Sequence, residues 1–142
     1  MPKIFLDTNI VIYAFTDDPR SDLAEALLAR GADMSVQVLN EFTNVARRKL
    51  GLDWRQVEDA LQAIRVLART IHPVDLDTHA GALDLAQRYK LSFYDALILS
   101  AALKAKCDVL HSEDMQHGLL VEGRLQIINP FTAAAGQPSE PL

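Results

Sequence analysis

The chain has 142 residues, 49% hydrophobic and 23% charged, with a net charge of -5, which is enough apolar material for one core and too little length for two ordinary domains. The acidic balance excludes a protein that coats nucleic acid by bulk electrostatics, since such domains are basic, so any contact with nucleic acid must be local. Cys107 is alone and cannot close an intrachain disulfide, Asp7 interrupts what would be the apolar stretch of a secretory signal, and runs such as Ile10 to Phe15 are far shorter than the ~20 residues of a membrane helix. A cytoplasmic protein with no membrane association is the expectation.

Lys3 to Leu6 is a short β-like run, and Asp7-Thr8-Asn9 opens a helix through Ile10 to Phe15, with Thr8 or Asn9 free to serve as its cap. After the loop Thr16 to Arg20, Ser21 or Asp22 can cap a helix whose apolar positions Leu23, Ala24, Leu27 and Leu28 precede the stop at Gly31. Met34 to Val36 reads as a strand. From Gln37 to Leu50 the spacing of Leu39, Phe42, Val45, Ala46 and Leu50 is helical, and Asp53 caps another helix with the stripe Val57, Leu61, Ile64 and Leu67. The alternation then repeats. Ile71 to Val74 is a strand, Asp77 or Thr78 starts a helix through Tyr89, and Ser92 caps the next, Phe93 to Lys106, which is apolar nearly all round and so belongs at the centre. Asp108 to His111 and Gln126 to Ile128 are two more strands. Strands alternating with helices imply an α/β fold: a central, mostly parallel sheet of four to five short strands with helices on both faces. One domain over 1–132 is expected, and 133–142, with little to bury, is expected to be disordered.

Four acids each sit where an apolar stretch ends or a helix begins: Asp7, Glu41, Asp95 and Asp114. Carboxylates avoid such neighbourhoods unless their desolvation is compensated, so the set asks for a common cation. An all-oxygen donor set favours Mg²⁺ or Mn²⁺ over zinc, and that chemistry commonly acts on phosphate. On the layout above, Asp7 and Asp114 fall past the carboxyl ends of strands, where open α/β sheets place ligands, and Glu41 and Asp95 can reach the same edge. Taken alone, Asp95 is equally well explained as a first-turn acid favoured by the helix dipole.

Phe5-Leu6-Asp7-Thr8-Asn9, Val38-Leu39-Asn40-Glu41-Phe42, Ser92-Phe93-Tyr94-Asp95-Ala96-Leu97 and Ser112-Glu113-Asp114-Met115-Gln116-His117-Gly118 together resemble the successive motifs of PIN-domain ribonucleases. More narrowly, the chain is similar to VapC-type toxins of bacterial toxin-antitoxin pairs, over roughly Lys3 to Pro130. The resemblance implies a PIN-like three-layer fold and an acidic site of Asp7, Glu41, Asp95 and Asp114, both metal-binding and catalytic, with Asn9 and Ser112 as supporting polar residues. It leaves Glu113 without a role. It further implies a Mg²⁺- or Mn²⁺-dependent endoribonuclease, using one ion or two, that leaves a 5′-phosphate and a 3′-hydroxyl on RNA, with Asp95 or Asp114 orienting the water. The partners implied are RNA, a VapB-like antitoxin whose cationic side chain enters the acidic groove, and a second copy of the chain in a homodimer.

Arg47 and Arg48, on the same predicted helix as Glu41, are candidate contacts to RNA phosphate, against an equal case for a solvated helix end. The four histidines show no metal-ligand spacing, and Trp54, Phe42 and Phe93 read as packing residues rather than base-stacking platforms. Three other readings compete: a housekeeping PIN-like nuclease, a haloacid-dehalogenase-like phosphatase and a non-enzymatic PIN-like adaptor. The phosphatase needs a second Asp two residues after Asp7, where this chain has Asn9; the adaptor is disfavoured by the presence of all four acids.

Overall fold

Short apolar runs, each followed closely by a polar residue able to cap a helix, set the architecture. The computed structural model describes residues 1–132, so the tail 133–142 expected to be disordered lies outside the described residues. The order is β1 (Ile4–Leu6), α1 (Thr8–Ala14), α2 (Ser21–Ala29), β2 (Asp33–Ser35), α3 (Val36–Arg48), α4 (Trp54–Leu67), β3 (Thr70–His72), α5 (Leu76–Tyr89), α6 (Phe93–Lys104), β4 (Val109–His111), β5 (Leu120–Val121) and β6 (Leu125–Ile128). The strands form one sheet in the order β3-β2-β1-β4-β6-β5. All neighbours are parallel except β5 against β6.

Right-handed crossovers carry α1 to α4 over one face; because the chain reverses direction after β3, α5 and α6 return over the other. The reversal makes the gap between β1 and β4 the switch point of the sheet, the place where such sheets bind ligands. The core lies on both sides of these central strands, with Phe5, Leu6, Ile10, Val38, Phe42, Ile98, Leu99, Leu110 and Ile127 all fully buried. As its all-round apolar sequence requires, α6 buries every residue from Ala96 to Ala102. It packs so closely on α5 that a β-carbon at Gly81 would stand 2.7 Å from Ser100 Oγ.

Several boundaries differ from the sequence reading, each for a local reason. Asp7 itself is the N-cap of α1, its carboxylate accepting from the Thr8 amide, and not Thr8 or Asn9. No side chain caps α2; Ser21 Oγ donates instead to the Thr16 carbonyl at 2.6 Å. Asp75 caps α5 in place of Asp77 or Thr78. β3 ends at His72 because Pro73 has no amide to continue the ladder. Asp53 and Ser92 cap α4 and α6 as expected, Asp53 within a capping box closed by Gln56. Six strands form where four to five were expected: β5 has two residues, too few to show an alternation, and it is the one antiparallel member. Among the described residues no helix is long and apolar enough to cross a membrane.

Candidate carboxylate site

Asp7 leaves the end of β1 in an extended conformation, and its amide donates to the His111 carbonyl at 3.0 Å, carrying the β1–β4 ladder one step past the strand. That step puts it beside Ser112, the first residue beyond β4. Ser112 Oγ donates to one Asp7 carboxylate oxygen at 2.7 Å and the Thr8 amide to the other at 2.7 Å. Glu41 arrives from α3, which starts directly after β2. Its oxygens accept from Thr8 Oγ1 at 2.6 Å and from Gln37 Nε2, one turn earlier on the helix, at 3.0 Å. Asp95 lies in the first turn of α6, where its amide donates to the capping Ser92 Oγ at 3.2 Å. Asp114 stands on the loop after β4 and accepts from Asn9 Nδ2 at 3.0 Å. All four acids line one cleft of about 270 Å³, together with Thr8, Asn9 and Asn44.

The electrostatics of this cleft are unfavourable as they stand. Burial pushes the Asp7 carboxyl up to about 7; the hydrogen bonds from Ser112 and Thr8 pull the other way, and the charges of Asp95 and Glu41 add to the rise. Burial also raises Asp95, with further contributions from Asp114 and Glu41. Asp33, on the neighbouring strand, is a built-in control. It is 1% exposed against 3% for Asp7, but it is met by Arg69 Nε at 3.0 Å, His72 Nε2 at 2.7 Å and Lys3 Nζ at 3.9 Å. Asp7 has no cationic partner among the described residues, only a hydroxyl and an amide. Its missing countercharge, in a cleft that offers three further carboxylates and no histidine or cysteine, fits a hard divalent ion. Among the described residues no three acidic, histidine or cysteine side chains are grouped closely enough to hold a metal ion as they stand, so the fit rests on the donor chemistry of the cleft.

The residues singled out in the sequence are distributed unevenly. Asp7, Glu41, Asp95, Asp114 and Asn9 line the cleft, and Ser112 lies beneath it as a fully buried donor to Asp7. Arg47 turns toward α4, lying 4.4 Å from the Trp54 ring centroid and donating to the Leu52 carbonyl at 3.0 Å. Neither Arg47 nor Arg48 borders the carboxylates. Lys49 instead lines the adjoining hollow of about 350 Å³, with Ile12, Val45 and Leu50. Two supports of Glu41 escape a reading of motifs. Thr8 looks like a helix cap, and Gln37 carries only the weak signal of its i, i+4 spacing to Glu41.

The PIN domain family model matches residues 4–118. Among solved structures, VapC20 of Mycobacterium tuberculosis, a sarcin-ricin loop cleaving toxin, is 25% identical over 79% of this chain and 90% of its own, with a TM-score of 0.65. A toxin-antitoxin complex from Klebsiella pneumoniae is 21% identical, covering 91% of this chain and 98% of its own at a TM-score of 0.70. VapBC2 from Rickettsia felis, bound to a DNA fragment from its promoter, is 19% identical over 87% and 97%, with a TM-score of 0.63. No curated protein matches by sequence. The family match runs from β1 into the loop after β4 and so takes in all four carboxylates with the elements that carry them: the chain belongs to the PIN domain family.

Proposed function

We propose that this protein is a metal-dependent endoribonuclease acting in the cytoplasm as the toxin of a toxin-antitoxin pair. The reading is carried by Asp7, a buried carboxylate at the switch point of the sheet that lacks a protein cation and shares its cleft with Glu41, Asp95 and Asp114. Membership of the PIN domain family and the likeness to VapC20 support it.

Mg²⁺ or Mn²⁺, held by Asp7 with two or three of the other acids, would supply charge neutralisation at the scissile phosphate and a lowered pKa for the attacking water. The chain's own residues do the rest. Ser112 and the Thr8 amide fix the Asp7 carboxylate in one orientation, and Thr8 and Gln37 do the same for Glu41. Asp95 or Asp114, whichever retains a free oxygen, orients the water for in-line attack on phosphorus and receives its proton. The bond to the 3′-oxygen breaks and that oxygen takes up a proton from solvent, leaving a 5′-phosphate on one RNA fragment and a 3′-hydroxyl on the other. Arg48 and Lys49 are exposed at the end of α3, where they can meet RNA phosphates outside the acidic cleft.

A VapB-like antitoxin is the partner this reading requires, and two of the structural neighbours are VapBC assemblies crystallised with DNA. An arginine from such a partner would pair with the cleft carboxylates through bidentate bonds and displace the metal. Self-association into a homodimer belongs to the same reading. Leu76 and Leu83 on α5 and Tyr94 on α6 are 82%, 47% and 60% exposed, and they are the apolar side chains that a second copy would cover in this reading.

The test uses purified protein, structured RNA and Mg²⁺. Wild type is expected to cleave and to leave 5′-phosphate ends, and Asp7→Asn to fold and cleave nothing. In cells, wild type alone should arrest growth, the neighbouring gene should relieve the arrest, and Asp7→Asn should be harmless. Robust cleavage by Asp7→Asn would remove the mechanism. A folded wild type that neither cleaves nor arrests growth would point to an adaptor.

A further inference from the structure

Glu113 lies next to Asp114 but outside the carboxylate cleft, and its two oxygens are held from different directions. The Tyr13 hydroxyl donates to one, and Arg20 Nη1 donates to the other at 2.7 Å. Arg20 is itself fixed: Nε and Nη2 reach the two oxygens of Asp18 at 2.8 and 3.0 Å, and the guanidinium lies 4.1 Å from the centroid of the Tyr13 ring. Burial and then the bond to Glu113 raise the Tyr13 phenol above its ordinary range, which keeps it a donor. The main chain of Glu113 faces the cleft residues. Its amide donates to Asn9 Oδ1 at 3.2 Å, and the amide group of the same Asn9 donates to Asp114 at 3.0 Å.

Three consecutive loop residues are thus tied to three different supports: Ser112 to Asp7, Glu113 to Tyr13 and Arg20, and Asp114 to Asn9. Asp114 needs such ties. It is exposed, and residues 112–119 contain no helix or strand to hold it. The bond of the Ser112 amide to the Ile128 carbonyl, at 3.0 Å, anchors the start of this loop. The Arg20 side chain is 38% exposed and that of Glu113 23%, so their ion pair is screened and contributes little to overall stability. A forked guanidinium gripping one carboxylate while fastened by another sets direction more than it adds energy.

We propose that Tyr13, Arg20 and Glu113 form a positioning clamp that fixes the loop after β4, so that Asp114 is presented to the same cleft as Asp7. The clamp rests on the nuclease reading above. Residues standing behind metal ligands typically change metal affinity or activity 10- to 100-fold when altered, and the clamp is expected to act in that range.

Its test is a Mn²⁺ titration of the full chain followed by electron paramagnetic resonance of the free ion, with RNA cleavage and metal-free melting measured in parallel. Glu113→Ala and Arg20→Ala are expected to weaken Mn²⁺ binding about tenfold or more. Their cleavage should fall at subsaturating Mn²⁺ and return toward wild type at saturation, while melting in EDTA shifts by only a few degrees. A role confined to stability would give the opposite: a large melting shift with Mn²⁺ affinity unchanged. If Glu113→Ala does not fold, Arg20→Lys, which keeps the charge and loses the fork, gives the same readings. Wild-type Mn²⁺ affinity in a folded clamp variant, beside an active wild type, overturns the clamp alone. A wild type that binds no Mn²⁺ and cleaves nothing overturns the clamp and the nuclease reading together.

Discussion

Asp7 keeps its proton in the folded, metal-free protein to about pH 7, whereas in the unfolded chain it ionises near its ordinary 3.8. Below pH 4 both states are protonated and the group contributes no penalty; as pH rises from 4 to 7 the unfolded state alone gains the solvated charge, and stability falls. The loss, from a displacement of roughly three pH units, is on the order of 4 kcal/mol at most. Asp7→Asn cannot ionise, and Ser112 can turn its hydroxyl to accept from the new amide. In EDTA the variant is expected to match wild type near pH 4 and to exceed it in denaturant midpoint by pH 8; parallel pH profiles would contradict the assigned burial effect. A second expectation concerns the end of α3. Lys49→Ala should reduce the salt-dependence slope of RNA binding by about one, while Arg47→Ala, whose side chain is committed to Trp54 and Leu52, should leave it unchanged. The same scale shows what the sequence could reveal. Asp7, Glu41, Asp95 and Asp114 were legible because each interrupts or follows an apolar run, Asp7 and Asp114 after strands, Asp95 in the first turn of α6 and Glu41 within α3. Asp33 breaks one too, between Ala32 and Met34, yet it is an internally neutralised residue. Its partners Arg69 and His72 lie 36 and 39 positions away, so no local pattern distinguishes a carboxylate awaiting a cation from one that already has it.

Among the elements, α5 and α6 meet most tightly, and Gly81 is the residue that permits it. Replacing it with Ala gains about 1 kcal/mol of helix propensity, but the new methyl would stand 2.7 Å from Ser100 Oγ, which donates to the Thr78 carbonyl at 2.9 Å. Overpacking of this kind costs roughly 1–3 kcal/mol, so Gly81→Ala is expected to lower the denaturant midpoint. In a Ser100→Ala background the obstruction is gone, and the same change should become neutral or stabilising. A loss of equal size in both backgrounds would locate the strain elsewhere. The helices were legible in outline because their apolar positions recur at helical spacing. Their caps were less so: the chain offers Asp75, Asp77 and Thr78 within four residues, and the choice of Asp75 is made by its side chain reaching both the amide and the hydroxyl of Thr78. β5 left no trace in the sequence, being defined only by its pairing with β6.

For the whole molecule, an ion that binds the folded cleft and ignores the unfolded chain should stabilise it by about 2.7 kcal/mol at a hundredfold excess over Kd. In a domain of this size that corresponds to a rise of roughly 10 °C in Tm. Mg²⁺ or Mn²⁺ is expected to produce the rise in wild type and to lose it in the Asp7→Asn, Asp114→Asn double variant, as followed by differential scanning calorimetry; an equal rise in that variant would place the ion elsewhere.

The central pairing of β1 with β4 also sets a schedule. The bonds Ser112 to Asp7 and Asn9 to Asp114 each span 105 positions, while β1, β2 and β3 can pair among themselves as soon as they emerge. At ordinary translation speeds of about 5–20 residues per second, roughly 5–20 seconds separate the appearance of Asp7 on the ribosome from that of Asp114. For about the last two thirds of that interval the nascent chain carries both Asp7 and Glu41 without the loop that completes their cleft, and β1 keeps one edge open. On the proposed reading, a fragment released early by premature termination or proteolysis would be inert, and a protein that captured the chain during its synthesis would do so before there was anything to inhibit.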